Sequence, residues 1–262
     1  MKRNLFAFLI VCALSFFCFL TIFVQAQEEL TVEKCSELTE ELTWKLSWQP
    51  QKALDYCLEV YESNPTDPTL HVMIGGLYSS LMSREKGIKY LNTALELDSN
   101  IDKKHKGIYM SLAVNYKYLG EDLEDVDVEK SNAMFDKAIE YNNMSLEKSP
   151  SLNERVILRE LAPLYAKRGR YQESNDAYYK VLEIDKKNIK SIRPDTYYYF
   201  KNPYFKIAQN YLHMGKKQEA LKIVDKLREI DEKLDFSKMY SSPSAPRLLS
   251  IIENYEGTAE EQ

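Results

Sequence analysis

Four tyrosines recur within the same local pattern of residues, and this repetition constrains the fold more than any other feature. Three residues before each tyrosine stands a very small residue, and four residues before it stands a bulky aliphatic one. Positions three and four apart share one face of a helix, so each tyrosine marks a helix that a neighbour can approach closely. The tyrosines are Tyr78, Tyr116, Tyr165 and Tyr211, the small residues Gly75, Ala113, Ala162 and Ala208, and the aliphatic residues Ile74, Leu112, Leu161 and Ile207.

The same register predicts a turn and a second helix after each tyrosine. Glycine stands four residues beyond three of the tyrosines, at Gly120, Gly169 and Gly215, and Met82 holds this position in the remaining segment. We expect each of these glycines to end the first helix in a left-handed conformation. Small residues return nine positions after three of the tyrosines, where the second helix would face the first: Gly87, Ser174 and Ala220.

This pattern resembles the tetratricopeptide repeat, a helix-turn-helix unit of about 34 residues. Residues 165–185 and 204–231 match it best, and residues 68–100, 105–148 and 28–67 match it in part. The resemblance implies an all-α fold in which helical hairpins stack as an α-solenoid. The aligned tyrosines are 38, 49 and 46 residues apart, so we expect an irregular stack. Pro163 falls inside a first helix, whereas Asn202 and Pro203 predict the cap and first residue of another.

Three segments are predicted along the chain. Residues 1–26 are typical of a signal peptide, with Lys2 and Arg3, an apolar run from Leu5 to Val24, and Ala26 before the cleavage point. The run is also long enough to be a retained membrane anchor. Residues 27–236 would form four to five helical hairpins, and residues 237–262 a capping helix and a flexible tail. The cap covers the apolar end of a stack, although this helix could instead bind a partner. The predicted signal peptide at residues 1–26 leads us to expect a periplasmic or secreted protein.

Two cysteines remain after the predicted leader, Cys35 and Cys57. They lie on two predicted antiparallel helices, and an exported chain meets oxidising conditions. A disulfide between them would stabilise the fold by about 3 kcal/mol. Two small buried thiols are the alternative interpretation.

The sequence shows no pattern that predicts catalysis, so we expect neither an enzyme nor a cofactor. The three histidines, His71, His105 and His213, lack metal-ligand spacing. The acidic insertion at residues 121–129 alternates carboxylates as a calcium loop can, but it lacks that loop's turn glycine and distant glutamate, which favours a solvated loop. The formal net charge of −5 argues against nucleic-acid partners, and no membrane insertion is expected after leader cleavage.

The family resemblance implies that the first helices line a concave wall that binds peptides or partner proteins. A peptide carrying apolar side chains and a carboxylate would suit its mixed lining. The alternatives are a self-oligomerising envelope subunit and a glycan-handling accessory protein that uses the aromatic run at residues 197–200, which could equally cover the stack. The predicted wall residues are Val72, Ser79, Met110, Lys117, Tyr118, Arg159, Lys167, Phe205, Gln209, Leu212 and His213.

Overall fold

The computed structural model describes residues 30–41, 49–148, 154–188, 196–232 and 244–255. In these residues it contains twelve helices and no strands, which confirms the predicted all-α class. The predicted signal peptide and the tail at residues 256–262 lie outside them. The helices are α1 (Val32–Glu40), α2 (Pro50–Ser63), α3 (Pro68–Ser80), α4 (Arg84–Leu97), α5 (Ile101–Lys104), α6 (Ile108–Leu123), α7 (Val128–Lys148), α8 (Glu154–Lys167), α9 (Tyr171–Asn188), α10 (Tyr197–His213), α11 (Lys217–Asp231) and α12 (Ala245–Glu253).

The helices pair into hairpins that stack in chain order. The pairs are α1–α2, α3–α4, α6–α7, α8–α9 and α10–α11, with α5 as a single turn between the second and third pairs and α12 packed on α11. All the extensive helix contacts join elements close together in the chain, which is the packing of a solenoid. The buried apolar residues accordingly form four clusters along the stack rather than one central core.

Small residues lie where helices approach one another most closely. A Cβ added to Gly75 in α3 would come within 2.7 Å of Leu91 Cγ and 3.2 Å of the Gly87 carbonyl oxygen in α4. Ala162 and Ala208, in the same register, are buried. These positions therefore set the spacing within each hairpin, as the sequence pattern predicts.

The left-handed turn predicted for three glycines is present at two of them. Gly169 and Gly215 both have φ +69°, in the left-handed conformation expected after a helix. Met82 takes nearly the same conformation, φ +59°, without being a glycine. The prediction was wrong for Gly120, which lies inside α6. There a Cβ would meet Phe135 Cε1 of α7 at 2.7 Å, so Gly120 is small to admit the phenylalanine ring.

The predicted helix start at Asn202 and Pro203 was also wrong. Helix α10 begins at Tyr197 and contains Pro203 in its interior. Because proline has no N–H, the helix lacks one backbone hydrogen bond there, as it does at Pro163 in α8. The aromatic run is thus the first turn of α10: Tyr197 and Phe200 are buried in the core, while Tyr198 is 52% exposed.

Each end of the stack carries a short helix with its own attachment. At the amino-terminal end, a disulfide joins Cys35 in α1 to Cys57 in α2, with a Cα–Cα distance of 5.2 Å. At the other end, α12 buries Ala245, Leu248 and Ile252 against the last hairpin.

Candidate functional site

The first helices of the hairpins stand side by side and form one wall of the stack. Their side chains touch from one hairpin to the next. Lys117 Nζ of α6 lies 2.8 Å from Glu160 Oε2 of α8, and the guanidinium carbon of Arg159 lies 5.8 Å from the ring centre of Tyr198 in α10. We call the solvent-facing sides of α3, α6, α8 and α10 the inner wall.

At the α3 end, the predicted residues serve packing rather than an open surface. Val72 is half-buried against an apolar cluster. The Ser79 hydroxyl donates to the Gly75 carbonyl oxygen at 2.7 Å and accepts from Asn115 Nδ2 at 2.6 Å, so it joins α3 to α6. Met110 packs on the cluster around Phe135. These side chains hold hairpins together.

The two predicted lysines are both paired with carboxylates. Lys117 donates to Glu160, and Lys167 Nζ lies 2.6 Å from Glu124 Oε2. Burial alone would lower the pKa of Lys117, but its hydrogen bond to Glu160 and the charge of that carboxylate raise the pKa above its usual value. Tyr118 is partly exposed, with Lys117 Nζ 5.0 Å from its ring centre. This part of the wall is electrostatically satisfied.

The part of the inner wall formed by α8 and α10 carries an arginine–tyrosine cluster of Arg155, Arg159, Tyr198 and Tyr199. The two guanidinium carbons lie 4.6 and 5.6 Å from the centre of the Tyr199 ring, as cation–π contacts do. Arg155 is neutralised by Asp185, a buried residue of α9. In the part of the chain that the structure describes, no carboxylate pairs with Arg159. The cluster therefore presents one uncompensated cation beside exposed aromatic surface.

The remaining predicted residues divide between wall and core. Phe205 is half-buried on the core, and Gln209 is also half-buried one turn further along α10. His213 is exposed at the end of α10, where its ring stacks on Tyr171 with centres 5.0 Å apart. Leu212 corrects the prediction, since it is only 4% exposed and packs in the core.

Several residues of this region were missed by sequence reasoning. Arg155 stands four residues before Arg159 and so shares its helix face, and Val156, which is 40% exposed, adds apolar surface nearby. Asn115 and Asn210 both stand directly before an aligned tyrosine. Asn210 Nδ2 donates to Ser174 Oγ at 2.8 Å, just as Asn115 donates to Ser79, and this shared register is a signal that could have been noticed.

Metal-binding clusters and membrane-spanning helices are both absent from the described residues. Among these residues, no three histidine, cysteine or acidic side chains converge as a metal ion would require. Every helix there is too short or too polar to cross a lipid bilayer.

Comparison with known proteins bears on the repeat and on the fold. Residues 68–101, which cover α3 and α4, match the family model for the tetratricopeptide repeat. This segment of the chain is therefore similar to a tetratricopeptide repeat. No curated protein matches the chain in sequence.

Solved structures extend the likeness to most of the chain. The crystal structure of the MamA protein is 18% identical, with a TM-score of 0.53 over 80% of this chain and 96% of MamA. MamA from Desulfovibrio magneticus RS-1 is 13% identical, with a TM-score of 0.55 over 79% of this chain and 98% of its own. A structure of MamA from AMB-1 is 17% identical, with a TM-score of 0.56 over 77% and 99%. The fold is therefore a tetratricopeptide-type solenoid.

Proposed function

We propose that this chain is an exported scaffold that binds a peptide segment of a partner protein along its inner wall. A carboxylate of that peptide pairs with Arg159, and a neighbouring apolar side chain packs on Tyr198. The proposal rests on Arg159, a cation on the inner-wall side of α8. Its guanidinium contacts the rings of Tyr198 and Tyr199, and no carboxylate pairs with it among the described residues.

The chemistry of Arg159 favours a carboxylate over other polar groups. A guanidinium presents a planar fork of N–H donors that matches the two oxygens of a carboxylate, and it is always charged at physiological pH. Stacking on Tyr198 and Tyr199 limits the motion of the side chain, so less entropy is lost when a ligand binds. Lys117 and Lys167 are weaker candidates because Glu160 and Glu124 already pair with them.

The surroundings supply the apolar half of the recognition. Tyr198 is about half exposed. Val156 is also exposed, and it stands three residues before Arg159 on the same face of α8. Tyrosine offers a large contact area at a small cost in side-chain entropy, which is why it is enriched in binding surfaces. A segment with an acidic residue next to an aliphatic or aromatic one fits this arrangement.

Two features support an exported location. The first is the basic and apolar leader at residues 1–26. The second is the pairing of Cys35 with Cys57, since disulfides persist in oxidising compartments.

The test uses an array of short synthetic peptides with acidic and apolar residues, probed with the purified chain lacking residues 1–26. Arg159→Gln should weaken capture of the bound peptides about tenfold or more, because a hydrogen-bonded charge contributes roughly 1.5–3 kcal/mol. Arg228→Gln is the matched control, since Arg228 is exposed on the second helix α11. Equal capture by both variants would refute the assignment.

Tyr198 also supports a second candidate function, in glycan handling, because an exposed ring can stack on a sugar. Tyr198→Ala should then abolish retention of the chain on immobilised oligosaccharide. If the unaltered chain is not retained on the oligosaccharide, glycan handling is excluded and the peptide proposal is unaffected.

A further inference from the structure

Met82 occupies a backbone conformation that its side chain disfavours. It lies in the turn between α3 and α4 with φ +59°, and the two turns of the same geometry use Gly169 and Gly215, both at φ +69°. A residue with a Cβ is strained in this conformation, and glycine is not. The Met82 side chain is 76% exposed, so packing within the described chain does not explain why methionine is present. Backbone strain at an exposed position is typical of residues that contact a ligand or a partner outside the chain.

The neighbourhood of Met82 reaches across to α6 through Arg84. The Arg84 guanidinium donates to the Met82 carbonyl oxygen at 3.4 Å and lies 4.8 Å above the ring of Tyr118. Arg84 Nε is also 3.1 Å from Asp122 Oδ2, near the end of α6. The turn that holds Met82 is thus fixed beside the turn that follows α6.

That following turn exposes further apolar surface. Val126 is 81% exposed and Val128 is 65% exposed. The backbone continues from α6 through hydrogen bonds from Val126 N and Asp127 N to the Leu123 carbonyl oxygen, at 3.0 and 2.8 Å. Val126 therefore lies one turn beyond Asp122, the residue that pairs with Arg84. We call Met82, Tyr118, Val126 and Val128 the turn-edge patch.

The rim of the turn-edge patch is acidic. Of the carboxylates at residues 121–129, Asp122 pairs with Arg84, Glu124 with Lys167 and Asp127 with Lys130. Asp125 and Glu129 are exposed, and neither has a basic partner among the residues described. These carboxylates do not converge on a metal position. Their charge thus remains available to a positively charged partner.

We propose that the turn-edge patch docks a partner segment whose apolar side chains are flanked by lysine or arginine. Methionine suits such a surface because its flexible, polarisable side chain adapts to varied apolar partners. The patch lies on the edge of the stack formed by the hairpin turns, and it is distinct from the arginine–tyrosine cluster, which takes a segment of opposite charge. The two surfaces would allow the chain to hold two segments at once.

The probe for the test is a short amphipathic peptide composed of leucine and lysine, labelled for fluorescence anisotropy. Its counterpart carries glutamate in place of lysine. The double variant Met82→Gly with Val126→Ser should weaken binding of the lysine peptide about tenfold, since two apolar contacts are lost. The glutamate peptide, which the proposed function assigns to the inner wall, should bind the double variant as tightly as it binds the unaltered chain. Leu97→Ser, at another exposed apolar position, should leave binding of the lysine peptide unchanged.

A stability measurement separates docking from a structural role. Met82→Gly alone should raise the melting temperature by about 2–4 °C, because glycine relieves the left-handed strain. A lower melting temperature would show that Met82 serves folding and would overturn the proposal. Undiminished binding of the lysine peptide by the double variant, an equal loss with Leu97→Ser, or an equal loss of glutamate-peptide binding in the double variant would overturn it as well.

Discussion

The two ends of the stack carry helices of equal length that are attached by different chemistry. Helices α1 and α12 have nine residues each, too few to be stable alone in water. Helix α1 is joined covalently to α2 by the Cys35–Cys57 disulfide. Helix α12 is held by Asp231, whose Oδ2 accepts hydrogen bonds from the backbone N–H groups of Ser244 and Ala245, at 2.8 Å each.

The difference shows which attachment belongs to the repeat and which is added to it. Asp231 ends a second helix, at the position that Asp185 holds in the previous hairpin, where it pairs with Arg155 of α8. Asp231 uses the same position to satisfy the free N–H groups at the start of α12 and accepts a further hydrogen bond from the Tyr197 hydroxyl. The disulfide has no such counterpart, so the amino-terminal end depends on oxidation and the carboxy-terminal end does not.

The largest expected effect is at the amino-terminal end. Replacing Cys35 and Cys57 together by serine should lower the free energy of unfolding by about 3 kcal/mol, since the open loop gains entropy in the unfolded chain. Denaturant unfolding without reductant measures this loss. Adding reductant to the unaltered chain should reproduce the loss and leave the variant unchanged. If reductant has no effect on the unaltered chain, α1 is held by packing alone.

At the other end, Asp231→Ala should cost about 2 kcal/mol and release α12, because buried N–H groups and the Tyr197 hydroxyl lose their acceptor. Hydrogen exchange of residues 245–253 should rise strongly while exchange in α1 and α2 stays the same. Asp225→Ala is the control, as Asp225 is exposed on the same helix and pairs with the exposed Arg228. Unchanged exchange in α12 would show that its apolar face is sufficient.

Adjacent glycines test whether the interior of the stack is held by packing rather than by special attachments. Gly75→Ala should destabilise the fold by about 1–2 kcal/mol, since the added methyl group meets Leu91. Gly76→Ala should be neutral or stabilise it by up to about 1 kcal/mol, since among the described residues an added Cβ would meet nothing within 4 Å outside its own stretch of helix backbone, and alanine favours the helix. Equal melting temperatures for the two variants would contradict the close approach of α3 and α4.

The smallest expected effect concerns Tyr197. Tyr197→Phe should cost about 1 kcal/mol, the contribution of its hydrogen bond to Asp231. Burial, and then this hydrogen bond, raise the pKa of the Tyr197 hydroxyl. The protonated hydroxyl therefore stabilises the fold below the ordinary tyrosine pKa of about 10, and this contribution is lost as pH rises through the folded-state value. Exchange in α12 should increase at alkaline pH in the unaltered chain more than in the variant.

The sequence predicted the repeat and its small residues because their spacing directly reflects helix packing. It misplaced two helix boundaries, because tertiary contacts decided them. Gly120 has the spacing of a turn residue, yet α6 continues past it, since the Phe135 ring occupies the space beside it. Pro203 has the features of a helix start, yet burial of Tyr197 and Phe200 extends α10 backwards.

The site was predicted less completely than the fold. The resemblance to the tetratricopeptide repeat implies that the first helices line one wall, and the register along those helices was then sufficient to nominate Arg159. It does not reveal that Glu160 and Glu124 neutralise the two lysines, because these pairs join residues 43 positions apart in the chain. The register places Met82 at a turn position, but it does not reveal how exposed the Met82 side chain is.

The most direct test of the binding account is a double-mutant cycle between Arg159 and the acidic residue of a captured peptide. Arg159→Gln and the peptide change from glutamate to glutamine, or aspartate to asparagine, should each weaken binding by a similar factor. Together they should weaken it little more than either change alone, with a coupling energy of about 1.5–3 kcal/mol. Strictly additive losses would contradict the account, because they would show that the carboxylate binds elsewhere.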